Sequence, residues 1–411
     1  MKPRVALVTG GHLSTCPRML KAADALVDEG YDVVVVATSS TAWAERADID
    51  VLERRRGRFR IETIDYSRAQ GRLLHLKSGL RRRIARAFVS RTKAVSFRLA
   101  TSAFARVHDE LAGAAVATSA DFYYGGTTGG VAAAFEAATR TARPYALDLE
   151  DFFCGEPPEG SLDAQLAERI EREILPGARF LTASSGPIAE AYAKKYRVEV
   201  ETIHNVFPLP EEWPEFSSRA EGPLRLYWFS QTIGPGRGLE DAIEGAGLAE
   251  VDAELHIRGR FADGYQEKIE TLSKERAPRL RLRHYPPGLP DEMVNLAREF
   301  DAGISLEAGG SQNNRLALGN KVLTYIVAGL ALVMSDTTGQ HRLKEELAEQ
   351  ALAVTTGDVR ALAEGFRQLA NDGRHLLECR KASWNAALRR WHWEHAEERG
   401  KLLSLFEAAT R

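Results

Sequence analysis

The chain has 411 residues, 44% of them hydrophobic, which is enough for two domain cores of roughly 150 to 200 residues each. Its 55 Lys and Arg residues nearly balance 57 Asp and Glu, so net charge gives no reason to expect a nucleic-acid partner. The three cysteines, Cys16, Cys154 and Cys379, are too few and too widely spaced for a disulfide framework or a zinc cluster. No apolar run reaches the roughly 20 residues of a membrane span. We therefore expect a cytoplasmic protein.

The chain begins with a strand, a glycine turn and a helix. Residues 5–8 predict a buried strand, residues 10–15 a glycine-led turn, and Pro17 the first turn of a helix that Gly30 ends. Residues 31–37 predict the next strand. Gly10 and Gly11 allow close backbone approach to a ligand, with polar groups beside them from His12, Ser14, Thr15 and Arg18. The alternative is a tight structural turn, with His12 facing solvent and Arg18 paired with Asp24 or another surface acid.

A basic segment follows at residues 53–98. It contains few acids and intersperses Leu, Phe and Val with arginines, which include Arg54, Arg55, Arg56, Arg81, Arg82 and Arg83. Such a segment is a candidate for contact with an anionic membrane surface or an anionic acceptor. A solvated helical face and a loop would give the same composition.

Four acids lie among aromatic residues at 145–156. They are Asp148, Glu150, Asp151 and Glu156. Carboxylates beside apolar rings can have a raised pKa suited to proton transfer, so Glu150 and Asp151 are catalytic candidates. Helix capping or pairing with arginine is the structural alternative.

The second half repeats the plan of the first. Residues 224–229 predict a strand, 230–238 a glycine-rich turn, Leu239 the start of a helix, and 254–257 another strand. Proline-rich residues 209–223 predict a linker between domains at 1–208 and 224–385. Residues 386–411 predict a C-terminal helix, whose Trp391 and Trp393 need burial against one domain or the other.

Two glycine turns after strands also suit a nicotinamide or flavin enzyme. The first turn, residues 10–15, lacks the G-x-G-x-x-G spacing, and the second strand ends at 37–40 without an acid for a ribose diol. The sequence therefore argues against a dinucleotide oxidoreductase.

The segment 320–340 predicts an anion site. Asn320 can cap a helix and Lys321 adds a cation at its start, where free backbone N–H groups favour a diphosphate. Gly329 ends that helix, and residues 330–334 predict a strand buried on both faces.

The pattern Asn-Lys-x-x-x-Tyr-x-x-Ala-Gly-x-x-x-x-x-Ser-Asp-x-x-Gly-Gln at 320–340 resembles the donor-site core of GT-B glycosyltransferases, nearest to glycosyltransferase family four. The resemblance implies an α/β fold of two Rossmann-like doubly wound domains facing across a cleft, with the last helix returning to the first domain. It also implies a nucleotide-sugar donor, an unidentified acceptor, a retaining reaction, and neither a cofactor nor a metal.

The resemblance assigns the candidate residues to three groups. The donor-binding group has a cation before Gly-Leu for the diphosphate, an acid and following N–H groups for the sugar, and a threonine where relatives carry a ribose-binding acid: Arg237, Gly236, Glu307, Gly310, Ser311, Asn320, Lys321 and Thr324. The acceptor-side loop comprises Gly10, Gly11, Ser14 and Arg18. The catalytic candidates are Asp151, Glu150 and His12, although many relatives place a histidine in the loop that here carries Glu150 and Asp151.

The expected function is transfer of a glycosyl group from a nucleotide sugar. A nucleotide-sugar epimerase of GT-B-like fold is one alternative, and it would form product without an acceptor. A non-catalytic GT-B-like partner protein is the other, favoured by Thr324 and by the missing loop histidine.

Overall fold

A computed structural model describes residues 2–92, 95–216, 222–307 and 309–411. The chain divides into two compact units, Met1–His204 with Arg399–Arg411, and Asn205–Glu398. Residues 93–94 of the basic segment, 217–221 of the predicted linker and 308 after Glu307 lie outside the described residues.

The first unit contains a seven-stranded parallel sheet. Its strands, in spatial order 3-2-1-4-5-6-7, are β1 (Arg4–Thr9), β2 (Asp32–Ser39), β3 (Arg60–Asp65), β4 (Phe122–Gly126), β5 (Tyr145–Leu149), β6 (Leu181–Ala183) and β7 (Glu201–Thr202). The central strand β1 is apolar and buried, and its Leu7 pairs with Val35 on one side and Tyr124 on the other. A strand covered on both faces needs such a continuous apolar run.

Helices cover this sheet. They are α1 (Pro17–Asp28), α2 (Ala42–Glu53), α3 (Arg72–Val89), α4 (Phe97–Phe104), α5 (His108–Ala117), α6 (Thr127–Thr141), α7 (Leu162–Ile174), α8 (Gly186–Tyr196) and, from the chain end, α17 (Lys401–Thr410). Pro17 is the first residue of α1, a position that needs no N–H donor. Phe406 of α17 packs edge-on against Phe122, Tyr124 and Phe180 of the same unit.

The second unit repeats the architecture with six parallel strands. In spatial order 10-9-8-11-12-13, they are β8 (Leu224–Ile233), β9 (Ala253–Phe261), β10 (Leu280–Tyr285), β11 (Ala302–Ser305), β12 (Ala331–Ser335) and β13 (Ala351–Val354). Its helices are α9 (Leu239–Ala249), α10 (Tyr265–Arg276), α11 (Met293–Ala297), α12 (Gln312–Leu316), α13 (Asn320–Ala328), α14 (His341–Leu347), α15 (Val359–Asn371) and α16 (Gly373–Arg389). The prediction of two doubly wound α/β units is confirmed.

The prediction of one continuous C-terminal helix is wrong. The chain leaves α16 at Arg389, passes through an irregular segment and a π-helical turn at Ala396–Gly400, and re-enters a helix at Lys401. Trp391 and Trp393 lie in that break and are buried in the second unit, where the Trp391 indole N–H donates to Glu346 at 2.7 Å. The chain therefore leaves the helical path where these two large rings are buried.

Within the described residues, no helix combines the length and apolar character needed to cross a lipid bilayer.

Candidate functional site

The strand order of the second unit reverses between β8 and β11. In a doubly wound sheet, ligands bind beyond the carboxyl ends of the strands at this switch point. Two loops leave the sheet there, one from β8 to α9 containing Arg237 and one from β11 to α12 containing Glu307. Of the donor-binding candidates, Gly236, Arg237, Glu307, Gly310 and Ser311 therefore lie in loops at the carboxyl edge of the sheet, whereas Asn320, Lys321 and Thr324 lie in α13.

The β8–α9 loop presents an exposed cation. Gly236 and Gly238 have φ angles of 74° and 77°, in the left-handed region that favours glycine, and Gly238 caps the start of α9. A Cβ at Gly238 would lie 2.3 Å from Leu306 Cβ, so the loop packs closely against the neighbouring strand end. The guanidinium of Arg237 is exposed and makes no hydrogen bond or ion pair with the described residues. It is available to an anion.

Trp228 connects this loop to the second cation, a role that the sequence did not indicate. Its ring is fully buried in the middle of β8, and its Nε1 donates to the Arg237 carbonyl oxygen at 3.3 Å. The Lys321 ammonium lies 5.7 Å from the ring centroid of the same tryptophan, a cation–π arrangement. One buried side chain thus supports both cation-bearing segments.

Lys321 also pairs with Glu307. The Lys321 Nζ to Glu307 Oε1 distance is 3.2 Å, and the two side chains are 11% and 21% exposed. The Glu307 backbone is held on both sides, since its N–H donates to Ser335 Oγ at 2.8 Å and its carbonyl accepts from Thr356 Oγ1 at 3.0 Å. The carboxylate is therefore fixed beside the ammonium at the first turn of α13.

Asn320 does not cap α13, contrary to the sequence prediction. Gly319 is the capping residue, and Asn320 is the first helical residue, whose Oδ1 accepts from Asn205 Nδ2 at 2.7 Å. The N-cap position requires a non-helical backbone, which Gly319 provides in its extended conformation without a side-chain hydrogen bond.

Thr324, Ser311 and Gly310 differ in accessibility. Thr324 is fully buried, and its hydroxyl donates to the Asn320 carbonyl one turn earlier at 2.9 Å. Ser311 caps the short helix α12 by accepting from the Asn314 N–H. Gly310 is exposed.

The first unit has its switch point between β1 and β4. Gly10 passes so close to the start of α6 that a Cβ there would lie 2.8 Å from Gly129 Cα, which gives this glycine a structural reason. Thr127, the first residue of α6, has a φ of 62°, which strains a β-branched residue. Its Oγ1 accepts from the Gly10 N–H at 2.8 Å.

His12 and Ser14 are held by Asp48. His12 Nδ1 lies 2.8 Å from Asp48 Oδ2, and its Nε2 accepts from the N–H groups of Ser40 and Thr41. The Ser14 N–H donates to Asp48 Oδ1 at 2.7 Å. Both ring nitrogens of His12 are therefore occupied, and the buried imidazole ties the loop to α2 in this conformation. The structural alternative, in which His12 faces solvent, is wrong. Gly11 beside it is close-packed, since a Cβ there would lie 3.0 Å from Cys16 Sγ.

Arg18 is a buried structural cation rather than a surface one. It donates to both carboxylate oxygens of Asp148, at 2.7 and 2.6 Å, and to the Ile203 carbonyl oxygen at 2.6 Å. Burial acts to lower the pKa of Arg18, but the charge of Asp148 and the hydrogen bond to it outweigh that effect, so the pKa is raised. The suggested pairing with Asp24 is wrong, because Asp24 pairs with Arg55.

Glu150, one of the catalytic candidates, has a raised pKa. It follows β5 at the carboxyl end of the sheet, keeps part of its surface exposed, and its carboxyl makes no hydrogen bond with the described residues. Burial, with the charges of Asp151 and Asp148 beside it, raises the pKa of Glu150 to about 8. Burial and Asp151 also raise the pKa of Glu156.

In the described parts of the chain, no group of three or more His, Cys, Asp and Glu side chains is arranged to hold a metal ion.

No family model matches the chain, and no curated protein matches its sequence. Solved structures match over nearly the whole length. Anabaena HepE, in complex with UDP and glucose, aligns at 12% identity with a TM-score of 0.70, over 99% of this chain and 98% of that one. The chain has the GT-B fold.

Two further GT-B structures give the same result. Sucrose-phosphate synthase from Thermosynechococcus elongatus aligns at 12% identity with a TM-score of 0.68, over 99% of this chain and all of that one. A variant of TarM from S. aureus, in complex with fondaparinux, alpha-GlcNAc-glycerol and UDP, aligns at 11% identity with a TM-score of 0.66 over both chains in full. At these identities the likeness establishes the fold.

Proposed function

We propose that this protein is a glycosyltransferase that moves a sugar from a nucleotide sugar to an acceptor. The observation that carries the proposal is the meeting of two cation-bearing segments at Trp228, which contacts both the Arg237 carbonyl and the Lys321 ammonium. Both cations adjoin a helix start, where free N–H groups add to the attraction for phosphate oxygens. The GT-B neighbours that bind UDP or UDP-glucose support the same reading.

Arg237 and Lys321 would stabilise the departing nucleoside diphosphate. Negative charge accumulates on its oxygens as the glycosidic bond breaks, and fixed cations placed there lower the barrier. Because two cations and two helix starts can neutralise this charge, the proposed reaction needs no metal. Glu307, with Gly310 and Ser311 after it, would bind sugar hydroxyls and hold the anomeric carbon in position.

The acceptor hydroxyl must lose a proton during transfer. Glu150 is our candidate to receive it, because a carboxyl with a pKa of about 8 exchanges protons efficiently near neutral pH. Asp151 beside it sustains that raised pKa by charge repulsion. We propose retention of anomeric configuration and membership of family four on the resemblance of the 320–340 pattern alone.

Thr324 has a structural role in this proposal. Its hydroxyl already bonds to the Asn320 carbonyl, and its side chain is fully buried. The ribose of the donor would therefore be bound by other groups, with a weaker hold than a carboxylate provides.

The test is release of nucleoside diphosphate from UDP-, GDP-, ADP- and TDP-glucose, with glycerol and glucose as probe acceptors. We expect turnover with one nucleotide, lost in Lys321→Met and retained in Lys344→Met, which removes a cation on α14. NMR of the product reports the anomeric configuration, and inversion would overturn the retaining assignment. Product without acceptor would support the epimerase. No turnover and no nucleotide binding would support the non-catalytic partner protein.

A further inference from the structure

Helix α3 turns its apolar face outward. Leu73, Leu76, Leu80, Ile84 and Phe88 are between 49% and 86% exposed. Their spacing of three or four residues places all five on one face of the helix. They are five of the eight large hydrophobic side chains that are exposed among the described residues, so solvent exposure of apolar surface is concentrated on this helix.

The opposite face of α3 holds the helix to its unit through small and polar contacts. Ser78, Ala85 and Val89 are buried there, and Ser78 Oγ accepts from Arg106 Nε at 3.1 Å. Arg81 donates to Glu110 at 2.6 Å, and Arg86 pairs with Asp163. The helix is therefore docked by its polar side, and the apolar stripe faces solvent.

Unpaired cations border that stripe. The helix carries six Lys and Arg residues and no acid. Three of the six, Arg72, Lys77 and Arg83, are exposed and make no ion pair with the described residues. Arg91, just beyond the helix end, is exposed in the same way. Lys77 and Arg91 continue the apolar face, and Arg72 and Arg83 lie along one margin of it.

An open groove of about 580 Å³ adjoins the stripe, between α3 and α4. It combines apolar side chains with cations at the rim, and its lining includes Leu80, Ile84, Phe88, Leu99, Lys77 and Arg98. Such a groove accommodates the apolar part of an amphiphile while its anionic head meets the rim.

We propose that α3 lies flat on an anionic lipid bilayer, with the stripe from Leu73 to Phe88 in the interfacial region and its cations among anionic headgroups. Charge complementarity selects this occupant over a second copy of the chain. A symmetric contact would place α3 against α3 and bring like charges together, whereas an anionic leaflet attracts each cation.

The proposed membrane-binding surface covers only part of the basic segment 53–98 that the sequence indicated. Arg55 pairs with Asp24, and Arg58 pairs with Asp24 and Asp28. These arginines follow α2, outside the apolar stripe. The segment 53–98 therefore contains two different groups of cations: arginines that pair with acids, and those of the amphipathic surface on α3. Composition alone did not distinguish them.

Flotation with vesicles tests the proposal on the full chain. The vesicles are phosphatidylcholine alone or phosphatidylcholine with about one-third phosphatidylglycerol. The stripe variant combines Leu76→Gln, Leu80→Gln and Phe88→Gln, and the cation variant combines Lys77→Gln and Arg83→Gln. The two controls, Ile49→Gln and Leu248→Gln, each remove one exposed apolar side chain elsewhere. All are compared with the unaltered chain. Because every altered side chain is exposed, thermal unfolding should stay unchanged and confirms that each variant folds.

We expect flotation with the anionic vesicles, reversed by salt. The stripe variant should lower the partition coefficient at least tenfold, and loss of each cation should lower it about fivefold, from roughly 1 kcal/mol per charge near the surface. The two controls should bind as the unaltered chain does. Absence of flotation, or equal binding to neutral vesicles, overturns the proposal. So does a dimer in light scattering that the stripe variant dissociates, because the occupant would then be a second copy.

Discussion

Glu307 pairs with Lys321, the cation that we propose binds the diphosphate of the donor. The 3.2 Å ion pair has a Coulomb energy of about 5 kcal/mol at an effective dielectric constant of 20 and about 1 kcal/mol in bulk water. Solvent exposure and competing interactions reduce the net value toward the lower end. Replacing Glu307 with Gln frees Lys321 and removes a like charge near the diphosphate. We expect nucleoside diphosphate to bind about 5- to 30-fold more tightly, which corresponds to roughly 1 to 2 kcal/mol.

Calorimetry with UDP, GDP, ADP and TDP measures this effect. The matched control is Glu364→Gln, which removes an exposed acid paired with Arg367 on α15 of the same unit. The same Glu307→Gln variant should turn over its nucleotide sugar more slowly, because it loses the carboxylate that binds sugar hydroxyls. Weaker binding of free nucleoside diphosphate by Glu307→Gln would refute the reasoning, since the carboxylate would then contact the nucleotide itself.

Three further predictions concern single side chains. Arg18→Met leaves Asp148 as an uncompensated buried charge and should lower the unfolding free energy of the first unit by about 3 to 5 kcal/mol in urea; an unchanged transition would contradict the pair. Burial and the neighbouring acids raise the pKa of Glu150 from 4.5 to about 8, so ionised Glu150 destabilises the fold increasingly between these two pH values and by a constant amount above pH 8. Glu150→Gln should therefore raise the melting temperature at pH 8.5 and leave it unchanged at pH 4. Thr324→Val should change nucleotide affinity less than twofold, whereas a tenfold loss would place its hydroxyl at the ribose.

The strands and turns of the fold were predictable because they depend on neighbouring residues. Apolar runs identified β1, β8 and β12, and Gly329 marked the end of α13 with a φ of 68°. Boundaries moved by one to four residues. The largest changes are at the ends of β8 and β9, which extend four residues further, to Ile233 and Phe261. No local pattern indicated the irregular register of β8 between Phe229 and Thr232.

Partners distant in the sequence were not predictable. Arg18 and Asp148 are 130 residues apart, and only the placement of β5 beside α1 joins them. The same limit applies to His12, whose partner Asp48 comes from α2. Both residues resembled accessible polar groups of a ligand loop, and tertiary contacts instead bury them.

Trp228 was missed for a different reason. It lies in an apolar strand and resembles any core residue. Its hydrogen bond to the Arg237 carbonyl and its cation–π contact with the Lys321 ammonium therefore have no signal in the sequence. Lys321 was identified because a cation after a predicted helix start has a direct physical meaning. The donor-side candidates thus followed from local chemistry, and the side chain that supports them followed from the fold.

The most direct test of donor binding is calorimetry with UDP, GDP, ADP and TDP in EDTA, on the intact protein, on Arg237→Ala and on Arg374→Ala. Arg374 is an exposed arginine of α16, paired with Glu378, and it controls for the loss of one positive charge. The account predicts selective binding of one nucleotide, at least tenfold weaker in Arg237→Ala, as expected for loss of charge-assisted hydrogen bonds, and unchanged in Arg374→Ala. Binding of none of the four, or equal affinity in Arg237→Ala, would contradict it.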